Sequence, residues 1–361
     1  MTGRVTALVA VLVCMGALAC VGARAPMASA GVANAGIAGA PANPIAGLRW
    51  GIFTHAREDG PYAAWLAAEG EDKRLLAKIA LAPRVRWYGD WVSDSGAQSA
   101  AERYIDTVTG GDPDVLSQVA VFRLHPWEGA ACRQAPTAAD VASYRTWIDN
   151  FARGIGSARV ALILQPDLPF VLCVPRAARA KVYAQVAYAA RVFDALPHTT
   201  VYIEVGSADW PTARQAATML ERAGIRHVRG FATNATHYNS TAAELVWGQR
   251  ILGLLARAGI RGKHFVVNTA ANGHPFAYQE APRAFAEIRT CRSFAQRRCV
   301  SLGIPPTTDV ANPRWKLPKR ARTIAQRSVD AYLWIGRPWL KRQSNPFLLE
   351  AALAQARWSP F

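Results

Sequence analysis

The sequence is poor in acidic residues and in cysteine for its size. Its 361 residues hold 25 Asp and Glu against 42 Lys and Arg, a formal net charge of +17, and six Cys. No Gly-x-Gly-x-x-Gly follows an apolar run and no Walker A sequence occurs, so the phosphate-cradling loops of nucleotide-binding folds are not indicated. No Cys-x-x-Cys or His-x-x-x-His spacing supports a zinc site, and no cofactor or metal is implied. No Ser/Thr/Pro-rich linker divides the chain, and after the first thirty residues no segment is long and apolar enough to span a membrane. What is present is apolar material: 51% of residues are hydrophobic and 19% charged, which excludes a disordered chain, a collagen-like repeat and a small disulfide scaffold.

The N-terminus reads as an address. Arg4 is followed by an uncharged apolar stretch from Val5 to Ala19, short for a membrane span but suited to a signal peptide. Ala28-Ser29-Ala30 offers a small-x-small cleavage site, so residues 1–30 are expected to be removed and the mature protein secreted. Ala17-Leu18-Ala19 before Cys20 is a lipobox one place out of register, which makes lipid anchoring at Cys20 the lesser reading. Residues 31–43 are small and uncharged, a flexible lead-in to a single unit over residues 44–361. Export leaves Cys132, Cys173, Cys291 and Cys299 in an oxidising compartment. Cys291 and Cys299 are close enough to close one loop, and Cys132 would then pair with Cys173.

From Asn43 onward, short β-branched and aromatic runs alternate with alanine-rich stretches. The runs are 48–53, 85–91, 119–124, 160–164, 200–203, 228–232, 264–267 and 329–335. Between them, Val141, Tyr144, Trp147 and Phe151 recur at three- and four-residue steps, marking a helix over 138–152. Stretches 177–196, 211–223 and 241–258 behave alike, the last closed by Gly259. Strand–helix alternation predicts a parallel α/β sheet, either a closed barrel or doubly wound. In such folds the chemistry sits at the strand C-termini. The residues at or just beyond the ends of the runs are Asp90, after Val85-Arg-Trp87; His125, Trp127 and Glu128; Gln165 and Asp167; Glu204 and Trp210; Asn234 and Thr236; and Asn268 and Asn272. This ring of carboxylates, amides and tryptophans suits a neutral, hydroxyl-rich ligand.

These segments resemble glycoside hydrolase family 6, the inverting cellulases. The resemblance runs from about Asn43 to the C-terminus. It rests on Trp87-Tyr-Gly-Asp-Trp91, Tyr144-Arg-Thr-Trp-Ile-Asp149, Ile163-Leu-Gln-Pro-Asp167, Val201-Tyr-Ile-Glu-Val-Gly206 with Trp210, Gly230-Phe-Ala-Thr-Asn234, Val267-Asn-Thr-Ala-Ala-Asn-Gly273, Leu302-Gly-Ile-Pro-Pro306 and Val329-Asp-Ala-Tyr-Leu-Trp334. It implies a distorted, incompletely closed parallel α/β barrel with a cleft or tunnel across the strand ends. The pairing of Cys132 with Cys173 agrees with the family's first disulfide.

The resemblance also assigns roles. Inverting hydrolysis needs a protonated carboxyl for the leaving oxygen and a second group, about 6.5–9.5 Å away, to activate water on the opposite face. Asp167 stands at the general-acid position. The family's helper carboxylate precedes a cysteine; here that position is Ala131, and Glu128 is the nearest substitute. Trp87 and Trp210 match stacking tryptophans, Asn234 matches a hydroxyl-binding amide, and Ser207 stands where a histidine is usual. Phe122 replaces a tyrosine and Gly336 a lysine. Between Asp330 and Glu350 there is no carboxylate, and Asn345 falls where the catalytic base is expected; Asp90 and Glu204 are the more distant candidates.

The implied activity is hydrolysis of β-1,4-glucan with inversion, by a monomer. The rival readings are a glycan-binding protein that has lost turnover, or a hydrolase of an anionic envelope polymer. The second draws on the basic C-terminal stretch, where Arg and Lys outnumber Glu287, Asp309, Asp330 and Glu350. Nucleic acid is not an expected partner.

Overall fold

The computed structural model describes residues 42–124 and 135–361. The expected signal peptide, Cys132 and Glu128 therefore lie outside the described residues. Eight strands follow in chain order: β1 (Arg49–Trp50), β2 (Arg86–Gly89), β3 (Val115–Phe122), β4 (Val160–Leu164), β5 (Thr199–Glu204), β6 (Gly230–Thr233), β7 (His264–Asn268) and β8 (Val329–Leu333). All ladders are parallel. β3 to β8 pair in sequence order, while β1 and β2 both pair with β3, one beyond the other. The sheet curls until its two edges meet at a backbone hydrogen bond from Val85 N to Trp334 O, 3.0 Å. That is a distorted, incompletely closed barrel, as the resemblance implied.

The strands read as near-continuous apolar runs because both of their faces are covered. All five residues of β4 are buried, as expected when helices coat a parallel sheet. Val160–Leu164 was delimited correctly from sequence; other runs shift by one to four residues at their ends. Helix Ala138–Ile155 starts at Thr137, whose hydroxyl accepts the Asp140 N–H while the Asp140 carboxylate accepts the Thr137 N–H. Its apolar stripe of Trp147, Ile148 and Phe151 is fully buried against the sheet. The barrel interior is a separate cluster including Trp87, Ala120, Ile163, Tyr202, Ala232, Val266 and Leu333.

Trp87 therefore does not line a cleft. It is buried in the barrel interior, with its indole N–H donated to Ile335 O at 2.7 Å. Packing beside the residues that join the two sheet edges accounts for the placement. At the opposite, N-terminal end of the barrel, buried Asp330 accepts hydrogen bonds from Tyr202 Oη at 2.8 Å and from Arg229 Nε and Nη2 at 2.9 Å each. The expected Cys291–Cys299 disulfide is present. Cys173 is also a disulfide cysteine, and Cys132, its expected partner, lies outside the described residues. Among the described residues no helix is long and apolar enough to cross a membrane.

Candidate active site

The strand C-termini open into a cavity of about 650 Å³. Asp167, from the turn after β4, lies on its wall with Trp210 and Asp209 from the segment after β5, and with Thr236 and His237 from the segment after β6. Arg342 and Gln343 enter from the segment after β8. Phe170, Tyr278 and Phe285 supply aromatic surface.

Asp167 is held by backbone geometry that side chains rarely adopt. Gln165 and Asp167 have φ of 53° and 63° on either side of Pro166. Such left-handed residues cost roughly 1–2 kcal/mol each and persist only where their surroundings fix them. Here the Gln165 side chain accepts the Leu124 N–H at 3.1 Å, and Asp167 N donates to Glu204 Oε2 at 2.8 Å. Gly206 follows at φ 90°, where a Cβ would lie 2.6 Å from Pro169 Cγ. Only glycine lets this segment press against the turn that carries Asp167. The Asp167 carboxylate accepts the Thr236 hydroxyl at 2.6 Å.

Glu204 is fully buried beneath Asp167, and its oxygens accept the backbone N–H groups of Gly206 and Asp167, both at 2.8 Å. Burial, and then the charge of Asp167, push its carboxyl well above the ordinary range, against the pull of those N–H groups. The carboxylate found beside Asp167 among the described residues is thus Glu204. Glu128, assigned that part from sequence, lies outside them.

The amides turn away from the cavity. Asn234 and Ser207 are completely buried. Ser207 Oγ donates to Glu244 Oε1 at 2.8 Å or to Asn234 Oδ1 at 3.0 Å and accepts from Asn239 Nδ2 at 2.8 Å. Asn234 Nδ2 donates to Asn268 O, and Asn268 Nδ2 to Asn234 O. Asn268 Oδ1 also accepts the N–H groups of Ile335 and Gly336. These residues bind the ends of β5 to β8 to one another, so the hydroxyl-binding role expected for Asn234 and Ser207 has no geometric opening. An amide at a strand end reads the same in sequence whether it faces ligand or neighbouring backbone.

Trp210 does reach the cavity, with one face covered. The His237 ring lies parallel to it, centroids 5.1 Å apart and planes 13° apart, and Phe170 packs edge-on at 4.8 Å. His237 Nδ1 meets Asp209 Oδ1 at 2.7 Å. Burial works against the Asp209 charge, but the His237 partner and the Tyr278 N–H hold it below the ordinary carboxylate range.

The base region is cationic. Gln343 accepts the Arg337 N–H and donates to Thr236 O, which seats the segment after β8 on the segment after β6. The Arg337 guanidinium covers the Trp87 ring at 4.4 Å. Burial, then the neighbouring Arg86 charge, bring it down to about 10 against the pull of Asp167, so it remains charged at neutral pH. Asn345 and Asp90 are exposed and do not line the cavity. The sequence reading missed Asp209 and His237, and counted Arg337 and Arg342 only within the basic C-terminal stretch. Asp209 and His237 each fall a few residues beyond a strand end, the one signal available for them.

A family model described as glycosyl hydrolases family 6 matches residues 55–339. The chain belongs to glycosyl hydrolase family 6. It is 33% identical over 217 residues to endoglucanase A of Cellulomonas fimi, covering 59% of this chain and 45% of that protein. It is 31% identical over 225 residues to endoglucanase 1 of Streptomyces halstedii, covering 61% and 69% respectively. The match thus spans less than half of the Cellulomonas protein. The endoglucanase Cel6 of Mycobacterium tuberculosis, solved with a thio-linked cello-oligosaccharide, superposes with a TM-score of 0.71 at 24% identity. That superposition covers 89% of this chain and all of the other. Endoglucanase CEL6B of Humicola insolens gives 0.61 at 17% identity, over 88% and 98% of the two chains. These likenesses show the family 6 fold.

Proposed function

We propose that this family 6 chain hydrolyses β-1,4-glucan linkages with inversion, with Asp167 as the general acid. The observation that carries the reading is Asp167 on the wall of an aromatic cavity with Glu204 buried beneath it. Glu204 is fully buried and close enough to Asp167 for its charge to push the Glu204 carboxyl well above the ordinary range, so the two do not both ionise at neutral pH and the pair retains a proton. A retained proton is what a leaving glycosidic oxygen requires. Trp210, Phe170 and Phe285 supply apolar surface suited to sugar rings. The endoglucanase relatives support glucan as the substrate class. Signal-directed secretion, the single unit over residues 44–361 and a monomeric state belong to the same proposal.

Reducing-end release from a soluble β-1,4-glucan tests it. Asp167→Asn should lower the rate by about 10²-fold or more, the usual weight of general-acid assistance. Equal release by the two proteins would exclude Asp167 as the acid. No release from either, with glucan binding intact, would favour a binding protein on an enzyme scaffold.

Arg342 on the cavity wall and the basic C-terminal stretch favour a second reading, an acidic polysaccharide substrate. Binding of such a polymer that falls steeply from low to physiological salt would support it, because screening shortens the reach of surface charge. Salt-independent binding would count against it.

A further inference from the structure

The segment after β8, where the resemblance places the base, carries no carboxylate. Residues 331–349 contain neither Asp nor Glu, and the segment after β8 brings arginine and glutamine to the cavity. The cavity wall does carry a group of the right chemistry on another element. His237 is clamped between Trp210, parallel at 5.1 Å, and Phe285, edge-on at 4.8 Å. Its Nδ1 lies 2.7 Å from Asp209 Oδ1. Asp209 is fixed in turn, since its Oδ2 accepts the Tyr278 N–H at 2.7 Å and its carbonyl oxygen accepts from Gln279 Nε2 at 2.8 Å.

An ionised carboxylate only accepts, so Nδ1 carries the proton and Nε2 of the neutral ring keeps its lone pair. Among the described residues Nε2 has no protein partner. The charged groups sharing this cavity are Asp167 from the turn after β4, Asp209 from the segment after β5 and Arg342 from the segment after β8.

We propose that His237, oriented by Asp209, is the base that activates water in this enzyme, in place of a carboxylate. The inference rests on the hydrolase reading above. Nε2 takes a proton from water as the water oxygen bonds to the anomeric carbon. The bond from that carbon to the glycosidic oxygen breaks, and the departing oxygen receives the proton of Asp167. His237 is left protonated and Asp167 ionised, and exchange with solvent resets both. His237 is the catalytic residue, and Asp209 is a positioning residue that fixes its tautomer.

Two substrates separate the roles: a soluble cello-oligosaccharide, and 2,4-dinitrophenyl β-cellobioside, whose leaving group needs little protonation. Asp167→Asn should fall far more on the oligosaccharide than on the aryl glycoside. His237→Ala should fall by about 10²-fold or more on both, and added imidazole should restore part of the aryl glycoside rate. His237→Gln, which keeps bulk between Trp210 and Phe285, should show the same loss at an unchanged melting temperature. If His237→Gln stays within about threefold of wild type while Asp167→Asn is inactive on the oligosaccharide, the hydrolase reading stands and the base assignment falls. A folded His237→Ala that imidazole does not rescue also overturns the base. Wild type inactive on both substrates overturns the hydrolase reading and this inference with it.

Discussion

At the residue scale the account turns on which carboxyl groups keep a proton. Asp167 was legible in sequence because the Gln165-Pro-Asp167 turn directly follows an unmistakable strand. Glu204 was legible as a strand-end carboxylate, but not as the neighbour of Asp167, since 37 residues separate them. In the proposed mechanism a like charge beside Asp167 favours its protonated form. Glu204→Gln should therefore move the alkaline limb of kcat/KM to lower pH, because a lone carboxyl gives up its proton earlier than the pair. An unmoved limb would detach Glu204 from the acid. Glu244 gives a separate test in stability. Burial raises its carboxyl to about 7 against the hydrogen bonds of Ala208 N and Ser207. A raised acid binds more protons folded than unfolded, so the contribution of Glu244 to stability is full below pH 4.5 and is lost as pH rises through about 7. At about 1.4 kcal/mol per unit, the loss is on the order of 3 kcal/mol. Glu244→Gln should remove that slope in urea unfolding at pH 5 to 8, and be the more stable protein at pH 8. Its new amide lies near the buried Thr233 hydroxyl. Parallel profiles for the two proteins would contradict the assignment.

At the element scale, strands were easier to read than helices. A strand covered on both faces is an uninterrupted apolar run, as in Val160–Leu164. Helices Gly70–Ala80 and Lys319–Ser328 bury only a narrow stripe and are otherwise charged, so composition hides them. Helix contacts leave their trace in glycine. Gly154 lets helix Ala138–Ile155 approach helix Ala97–Thr109; a Cβ there would sit 2.3 Å from Gln98 O and 2.8 Å from Ala101 Cβ. Overpacking of this kind costs about 1–3 kcal/mol, more than the roughly 1 kcal/mol of helix propensity that alanine adds. Gly253, inside helix Thr241–Arg257, has only Arg257 Nη1 near that position, at 3.9 Å. Urea unfolding should show Gly154→Ala destabilised and Gly253→Ala stabilised by up to about 1 kcal/mol. The same sign for both would refute the close-approach account. The amide network was illegible for a different reason. Asn234, Asn268 and Ser207 come from three strand ends, and only the curvature of the sheet decides that they bond to one another.

At the scale of the whole molecule, the alternation of runs and helices foretold a parallel α/β sheet, and the order of its segments foretold the family and with it the barrel. Closure through Val85 and Trp334 was not foretold, because it joins positions 249 residues apart by one backbone bond. The His237–Asp209 contact was hidden likewise, since barrel curvature creates it from two neighbouring strand-end segments. The fold brings Asp167 and His237 to the wall of one aromatic cavity, and the proposed mechanism makes them acid and base. That mechanism is a single displacement, in which water enters opposite the leaving oxygen. The most direct test is the proton NMR spectrum of a soluble cello-oligosaccharide during its first minutes with the protein, with Asp167→Asn alongside. The account predicts that the α-anomer of the new reducing end appears first and mutarotates later, and that it does not appear with Asp167→Asn. A β-anomer appearing first, or cleavage that survives in Asp167→Asn, would contradict it.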